Sequence, residues 1–269
     1  MTRRGVALVA VLWTVTLLGA TVAAGTAATQ LGQRLTGNRL ALARGRWAAE
    51  ACLGIAEGRA ARNRLTDTAT IDLGRTVTCT WTVGYPDARL DLNRAQQETL
   101  VALATGLGVP ADSAELFGRL VMAASRARGA AGLSDVRQIL SLPGASLRLS
   151  PYLTVDGSGR VDAARASQPV LSALPGITTE AAGLILRRRE AGFPVSSLDE
   201  LGGLLSPASR AALHAAYRDL APLLAFGSGR RTLVVHGWVG SYGERPRATI
   251  EVVVEVVGDR LAVLRRRMS

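Results

Sequence analysis

The most restrictive feature of this sequence is a long uncharged stretch near its start. No charged residue occurs from Gly5 to Gln33, and residues 6–29 are apolar or weakly polar, which is long enough for a helix to span a bilayer. The first proline is Pro86, so proline does not break a helix in this region. Arg3 and Arg4 precede the stretch and predict that this end stays in the cytoplasm.

The helical pattern continues beyond the uncharged stretch. Apolar residues recur at helical spacing on one stripe, and the arginines and Glu50 lie largely off it. The stripe comprises Leu31, Leu35, Leu42, Ala49, Leu53 and Ala56. We predict one helix from about residue 6 to about residue 60, with a lipid-compatible first half and an amphipathic second half.

Three interpretations of this start compete. A cleaved secretory signal has a basic start and an apolar core, and the segment AGTAAT offers small residues for cleavage. A plain single-span anchor is the second interpretation. In the third, a pilin-like start, a peptidase cuts between Gly5 and Val6 on the cytoplasmic side and the apolar helix stays on the mature protein. A secretory signal requires neither this glycine nor the amphipathic continuation, so the residues favour the pilin-like start.

The charge of the chain constrains its partners and its chemistry. The 269 residues carry a formal net charge of +11, and every basic side chain apart from two histidines is arginine. A basic surface favours nucleic acid, phospholipid headgroups or acidic protein faces. His214 and His236 are far apart and have no cysteine or carboxylate cluster around them, so we expect neither a histidine metal site nor histidine catalysis. Paired carboxylates and phosphate-binding glycine loops are also lacking in a convincing context, so an enzyme is the weakest interpretation.

A repeat occurs in the middle of the chain. The segment RLDLNRAQQETLVAL from Arg89 aligns without gaps with RVDAARASQPVLSAL from Arg160, and eight of the fifteen positions are identical. Each copy follows a Thr-Val pair and a turn, which predicts a short hairpin and then a helix start in each unit. The identical pairs are Arg89/Arg160, Asp91/Asp162, Arg94/Arg165, Ala95/Ala166, Gln97/Gln168, Leu100/Leu171, Ala102/Ala173 and Leu103/Leu174.

Helices follow each copy of the repeat. In the second copy, LSALPGITTEAAGLILRRR has a turn at Pro175-Gly176 and a capping residue at Thr178 or Thr179, and it resembles a helix-hairpin-helix motif. Further helices are predicted at residues 134–140, 197–205 and 206–224, with Ser134 and Ser197 as N-caps. Residues 95–222 are therefore predicted to form a helical domain.

Strand patterns lie on both sides of this helical region. TVTCTWTV at residues 76–83 alternates like a half-buried strand, and three further strands follow the loop AFGSGRR. We expect Trp81 and Trp238 on the covered face of the sheet. Cys79 shares the face of Trp81, so Cys52 could reach it from the amphipathic helix. In an exported chain this pair can form a disulfide, and two free buried thiols are the alternative.

The order of elements predicts an α+β fold in which a helical domain is inserted in one sheet. The expected parts are a leader at 1–5, the helix at 6–60, a first part of the sheet at 61–94, the inserted domain at 95–222 with two helix-hairpin-helix-like units, and the rest of the sheet at 223–269.

Taken together, these features resemble the K-type minor pseudopilins of type II secretion systems (general secretion pathway protein K). The resemblance rests on the RRGVALVAVLW start, on RLDLNRA in place of an INLNTA-like motif, on VLSALPGI with its following arginine-containing helix, and on the closing hairpins. It implies a pilin-like fold, with a long N-terminal helix packed on a small antiparallel sheet that carries a large inserted α-domain. It also implies cleavage and N-methylation by the prepilin peptidase at Gly5 and Val6.

The role implied by the resemblance is structural. Members of this family lie at the tip of a short periplasmic pseudopilus, bound to the I-type and J-type minor pseudopilins and anchored by a single pass in the inner membrane. The fifth mature residue, which is glutamate in most pilin-like subunits, is Ala10 here. A subunit at the tip has no neighbour above it whose amino terminus needs neutralising, so an apolar residue is tolerable there.

Two points depart from the family. The threonine of the LNTA motif is Arg94 in this chain. Family members can bind calcium in the α-domain, and the candidate loop here is DGSGRVD, with Asp156, Ser158 and Asp162. This loop lacks the spacing and charge of an EF-hand, so a simple turn is the better prediction.

The competing function is a membrane-anchored DNA-binding protein of the competence type. Helix-hairpin-helix units bind phosphates through free backbone N–H groups, and the basic charge is compatible with that function. The second glycine usual in such a hairpin is Thr178 here, and the terminal strands have no place in a DNA receptor. Nucleic acid is therefore the less favoured partner.

Overall fold

The structure is a computed structural model that describes residues 3–62, 64–74, 76–129, 132–140, 147–240, 245–257 and 260–269, with backbone alone at residues 3–10, 61, 140, 147 and 260. The helices are α1 Arg3–Ala61, α2 Gln97–Gly106, α3 Ala111–Ala127, α4 Arg137–Leu140, α5 Gln168–Ser172, α6 Thr179–Glu190, α7 Leu198–Leu204, α8 Pro207–Ala215 and α9 Tyr217–Leu220. The strands are β1 Thr68–Gly74, β2 Val77–Gly84, β3 Leu90–Asp91, β4 Leu153–Thr154, β5 Val161–Asp162, β6 Leu224–Ala225, β7 Arg230–Val239, β8 Ala248–Val257 and β9 Arg260–Met268.

Helix α1 has two halves with different surroundings. Its 59 residues run without a break, and its side chains from Val11 to Arg44 are almost all exposed. From Gly45 onward one face packs on the sheet, and the buried residues of that face are mostly small: Ala48, Ala49, Cys52, Leu53, Ala56 and Ala60. The predicted stripe is therefore right in its second half, whereas its leucines at 31, 35 and 42 do not contact the sheet and are 45–59 % exposed.

Two glycines, Gly45 of α1 and Gly237 of β7, lie at a close approach of the helix to the sheet. A Cβ added to Gly237 of β7 would lie 1.9 Å from the carbonyl oxygen of Gly45, and one added to Gly45 would lie 2.5 Å from the Cβ of Arg247. Both distances are far below van der Waals contact, so glycine is required on both sides. The absence of side chains brings the helix backbone down onto the strand.

One antiparallel sheet in the described chain has the order β1-β2-β7-β8-β9. The strand β1 lies within the predicted first part of the sheet at 61–94, but the sequence did not locate it; as an edge strand, TATIDLG has only partly buried side chains at alternate positions. The helical insertion leaves the sheet after β2 and returns at β7, which are hydrogen-bonded neighbours with Gly84 opposite Thr232. The two ends of the insertion therefore lie side by side.

The two tryptophans predicted to share the covered face lie on opposite faces. Trp81 is fully buried among α1 and the sheet, and its indole N–H donates to the carbonyl of Thr66 at 3.1 Å. Trp238 alternates with the buried positions of β7 and stacks edge-on against His236 on the other face. The prediction for Trp238 is wrong, because Gly237 rather than Trp238 faces the helix.

The inserted domain has its own apolar core, separate from the core between α1 and the sheet. The predicted hairpins at the start of each repeat unit are wrong. In the first unit β3 pairs in parallel with β4, and in the second unit β5 pairs in parallel with β6. Each unit therefore begins and ends on a two-residue parallel pair, with its helices between, so each unit closes on itself.

Local capping signals in the insertion were more reliable than the predicted helix lengths. The hydroxyls of Thr178 and Ser197 accept the backbone N–H groups of Ala181 and Glu200, as predicted for N-caps. The helix predicted at 134–140 covers only α4, and the one predicted at 206–224 divides into α8, α9 and β6.

Replacing Gly237 tests the close approach of α1. We expect Gly237→Ala to lower the stability of the full-length protein in detergent by about 3 kcal/mol, because the added methyl group must displace the Gly45 carbonyl. Thermal unfolding followed by tryptophan fluorescence measures this. Gly84→Ala is the matched control, since its Cβ would meet nothing closer than 3.5 Å; equal melting of the two variants would contradict the contact.

Candidate functional site: the anchor helix and the domain junction

Helix α1 is the candidate membrane anchor. Within the described residues one segment, Val11–Ala60, is long and apolar enough to cross a membrane, and its most apolar window is not covered by the rest of the protein. Large apolar side chains there are about 60–70 % exposed, including Leu12, Trp13 and Leu17. A protein surface this apolar is expected against lipid or against other apolar helices.

The threonines of this helix satisfy their hydroxyls internally. Thr21 donates to the carbonyl of Leu18 at 2.8 Å, and Thr29 donates to the carbonyl of Gly25 at 2.9 Å. Thr16, Thr26 and Thr36 make equivalent bonds to carbonyls three or four residues earlier. Because lipid offers no hydrogen-bond partner, this bonding makes the polar residues compatible with a membrane.

The predicted processing residues lie at the start of α1. The backbone at residues 5, 6 and 10 is helical, and of Val6 and Ala10 the structure describes the backbone alone. Cleavage at Gly5-Val6 and the role of Ala10 therefore stay predictions.

The two cysteines join the anchor helix to the sheet. Cys52 of α1 and Cys79 of β2 form a disulfide with a Cα–Cα distance of 6.0 Å, and both are fully buried. The bridge closes a loop of 27 residues in sequence separation, for which chain entropy gives about 3–4 kcal/mol of stabilisation. It holds the helix on the strand beside the contact between Gly45 and Gly237.

The helix-hairpin-helix-like corner is closed by protein groups. Gly176 has φ +73°, and a Cβ there would lie 2.6 Å from the Cβ of Ala216, so the turn packs against the end of α8. The Glu180 carboxylate, in the first turn of α6, accepts from the Ser206 N–H and hydroxyl and from the Ser209 hydroxyl. These hydrogen bonds, the Ser206 hydroxyl first, lower the pKa of Glu180 to about 2. A carboxylate that is ionised at neutral pH thus lies at the N-termini of both α6 and α8, where a phosphate would have to bind.

Asp87, Ser158 and Ser228 meet where the insertion joins the sheet. Each occupies the same place in its turn, two residues before an arginine. The turn before the first unit ends in Asp87, and the GSGR turns at 157–160 and 227–230 supply Ser158 and Ser228. The Asp87 carboxylate is buried and accepts from the Ser158 N–H at 2.6 Å, from the Ser158 hydroxyl at 2.9 Å and from the Ser228 hydroxyl at 2.5 Å. One side chain therefore ties the start, middle and end of the insertion together.

The duplicated aspartates of the repeat have different surroundings. The carboxylate of Asp162 accepts from the backbone N–H groups of Ala164, Gly227 and Ser228 at 2.9–3.1 Å. Within the described chain, the carboxylate of Asp91 accepts from Asn93 alone among backbone N–H groups. The difference has a sequence origin, because the first unit has one more residue between its closing strand and the GSGR turn.

Asp91 is consequently a buried carboxyl with few donors. Burial raises its pKa to about 6, against the opposing effect of the Asn93 N–H and of Arg94, and the nearby charge of Asp156 raises it further. It lines a cavity of about 380 Å³ between the insertion and the sheet, together with Asp156, Arg230 and Arg265.

The motif asparagine holds the segment between α3 and α4 against the start of the first unit. The Asn93 amide accepts from the Leu133 N–H at 2.6 Å and donates to the Leu133 carbonyl at 3.0 Å. The second copy has Ala164 at this position, so this clamp belongs to the first unit. Arg94, the departure from the family motif, packs its chain against Gly159.

The three calcium candidates do not share one site. Asp156 forms an ion pair with Arg265, Ser158 donates to Asp87, and Asp162 accepts from three backbone N–H groups. Within the described residues no group of three or more histidine, cysteine or acidic side chains is placed to hold a metal ion. The oxygen atoms of Asp156 and Asp162 therefore bond to separate protein groups.

The arginine triplet of β9 connects three parts of the molecule. Arg265 pairs with Asp156 of the insertion, and Arg267 donates to the carbonyl of Ser134, also in the insertion. Arg266 between them pairs with Glu50 of α1. Alternation along the strand sends neighbouring arginines to opposite faces. Sequence reasoning missed this function and that of Asp87; the recurrence of GSGR was the one available signal for the junction.

The repeat offers a matched pair for testing Asp91. The pKa of Asp91 in the folded protein, about 6, is above its unfolded value of 3.8. The unfolded chain therefore ionises Asp91 more readily than the folded protein does. The free energy of unfolding is unaffected below about pH 4 and falls by about 3 kcal/mol as pH rises through about 6. Asp91→Asn stays neutral and keeps an acceptor for Asn93, so we expect it to melt higher than wild type at pH 7.5 and alike near pH 4. Asp162→Asn should lower stability at both pH values, because the amide NH₂ group of the new side chain would face backbone N–H donors. Thermal melts at the two pH values decide this, and a destabilised Asp91→Asn at pH 7.5 would contradict the assignment.

Comparison with known proteins gives a match in structure. No protein-family model matches the chain, and no curated protein matches it by sequence. Among solved structures, the chain is similar to a chain of the GspK-GspI-GspJ complex from the type 2 secretion system of enterotoxigenic Escherichia coli. The TM-score is 0.59 at 16 % identity, over 90 % of this chain and 99 % of the other. The fold predicted from the sequence is thereby confirmed: the chain has a pilin-like fold, a long N-terminal helix on an antiparallel sheet with a helical domain inserted in it.

Proposed function

We propose that this protein is a minor pseudopilin of a type II secretion system, which caps the tip of the pseudopilus and helps to initiate its assembly for export of folded proteins. The observation that carries the proposal is the likeness in fold, over nearly the whole of both chains, to a chain from a complex of three such proteins. A pilin-like helix on a sheet is common to filament subunits; the helical domain inserted between neighbouring strands supports the K-type role.

The proposal places the chain in the inner membrane. Helix α1 would span the bilayer once, and the sheet and insertion would lie in the periplasm after the prepilin peptidase removes residues 1–5. The disulfide Cys52–Cys79 supports an oxidising compartment, where such bonds persist. I-type and J-type minor pseudopilins are the proposed partners, and the proposed role is structural rather than enzymatic.

The competing DNA-binding function has less support. The N-terminus of α6 is occupied by Thr178, Glu180 and Ser209, which bond to one another. A DNA phosphate at this position would have to displace a carboxylate that stays ionised down to about pH 2. We therefore assign the corner a packing role between α6 and α8.

The mature N-terminus tests the processing step. We expect the N-terminal peptide of protein isolated from cells with a prepilin peptidase to begin at Val6 and to carry one methyl group, measured by peptide mass spectrometry. Gly5→Ala should block this cleavage, whereas Gly19→Ala, the same change further along α1, should not. A mature start near Thr29, or an unprocessed Met1, would exclude the pilin pathway.

Substitution of Ala10 tests the proposed place at the tip. We expect Ala10→Glu to be processed normally but to impair secretion, because a carboxylate without a partner is costly in lipid and favours an internal position beside another amino terminus. Ala10→Gln is the control of similar size without charge. Secretion of a type II substrate and co-purification with the other minor pseudopilins are the measurements; unchanged values in Ala10→Glu would count against placement at the tip.

A further inference from the structure

Four arginines follow the uncharged stretch of α1. Arg34, Arg39, Arg44 and Arg46 are exposed, and no acidic residue precedes Glu50 in the chain. Within the part of the chain that the structure describes, the ion pairs involve other arginines, namely Arg188, Arg230, Arg265 and Arg266. Glu50 lies one helical turn beyond Arg46, whereas Arg34 and Arg39 have no ion pair with an acidic side chain among the described residues.

The position of these arginines along the helix can be compared with the thickness of a bilayer. From Gly5 to Gln33 the uncharged stretch is about 43 Å long at about 1.5 Å per residue, which matches a bilayer with its headgroup regions, about 40–45 Å. Arg34 then lies at the level of the outer headgroups. Arg39 is about 7.5 Å further on, and Arg44 and Arg46 are about 15 and 18 Å beyond Arg34.

The direction of the side chains increases the difference in distance from the membrane between two pairs of arginines, Arg34 and Arg39 against Arg44 and Arg46. Side chains on an α-helix lean toward its N-terminus, which in α1 means toward the membrane. Arg39 can therefore bring its guanidinium back to the level of Arg34. Arg44 and Arg46 lie further from the headgroups than the screening length of about 10 Å at 0.1 M salt. They also flank Gly45, where the helix is already docked on the sheet.

The arginines are not explained as a topology signal. Positive residues favour the cytoplasmic side of a span, and the leader supplies only Arg3 and Arg4 there. The arginines on the other side oppose that bias, so their function must be sought where they end up. Guanidinium groups pair readily with phosphate oxygens, and phosphate is the anion present at the depth of Arg34 and Arg39.

We propose that Arg34 and Arg39 bind the phosphates of anionic phospholipids in the outer leaflet of the inner membrane and so fix the depth of α1 before the subunit leaves the bilayer. The proposal rests on the single-span location given under the proposed function. The two arginines lie about 140° apart around the helix, at about 100° per residue, so they contact lipid on two sides.

The experiment compares two pairs of substitutions in the full-length protein. Arg34→Gln/Arg39→Gln and Arg44→Gln/Arg46→Gln remove the same charge from exposed positions of one helix. The proteins, purified in mild detergent, are titrated with phosphatidylglycerol or phosphatidylcholine, and bound lipids are counted by native mass spectrometry at low and high salt. Extraction of membranes at alkaline pH reports separately whether α1 is inserted, so failure of the span is distinguished from failure of headgroup binding.

We expect the first double variant to bind phosphatidylglycerol about 30-fold more weakly than wild type, from about 1 kcal/mol per arginine near a membrane surface. The second should change less than about 2-fold, and phosphatidylcholine should show no difference. Equal losses in both double variants, or unchanged phosphatidylglycerol binding in the first, would overturn the proposal. If the first variant keeps its lipid but no longer co-purifies with other pseudopilins, the arginines bind acidic protein groups and the lipid assignment is wrong.

Discussion

The contact between α1 and β7 is the constraint on which the rest of the structure depends. The carbonyl of Gly45 lies so close to Gly237 that no side chain fits between them, and the small residues Ala48 and Ala49 continue the contact. The disulfide from Cys52 fixes the same helix to β2. Since β2 and β7 are the strands between which the insertion is placed, the anchor helix rests on the two strands that support the whole helical domain.

The insertion is held to the sheet by buried polar groups rather than by a shared apolar core. The apolar clusters of the two parts are distinct. Between them lie the bonds of Asp87 to two serines, the ion pair of Arg265 with Asp156, and the bond from Arg267 to the Ser134 carbonyl. Hydrogen bonds to a buried carboxylate depend strongly on geometry, so this junction fixes the orientation of the insertion more sharply than an apolar interface of the same size would.

Sequence patterns predicted the parts of the fold that depend on local interactions. The uncharged run, the amphipathic continuation, the caps at Thr178 and Ser197 and the alternating strand around Trp81 each depend on residues close together in the chain. The parallel pairs β3–β4 and β5–β6 join residues more than sixty positions apart, so no local pattern could distinguish them from hairpins.

Trp238 was misplaced for a related reason: the face of β7 is decided by the fit of Gly237 against α1, and glycine adds no apolar signal to an alternation pattern. The Asp87 junction was missed because Asp87, Ser158 and Ser228 come together only when each repeat unit closes on its parallel strand pair.

If α1 spans the membrane as proposed, the contact at Gly45 and the uncharged stretch together set the height of the folded body above the bilayer. Gly45 lies eleven residues beyond Arg34, or about 16 Å along a helix axis, so the sheet begins well clear of the headgroups. In this interval Leu35, Leu40 and Leu42 are 45–51 % exposed, and the sheet does not reach them. Apolar side chains above the lipid and below the sheet remain in water unless other helices cover them. Under the proposed function, this is the segment of α1 that the helices of neighbouring pseudopilins can cover without disturbing either the membrane contact or the junction with the inserted domain.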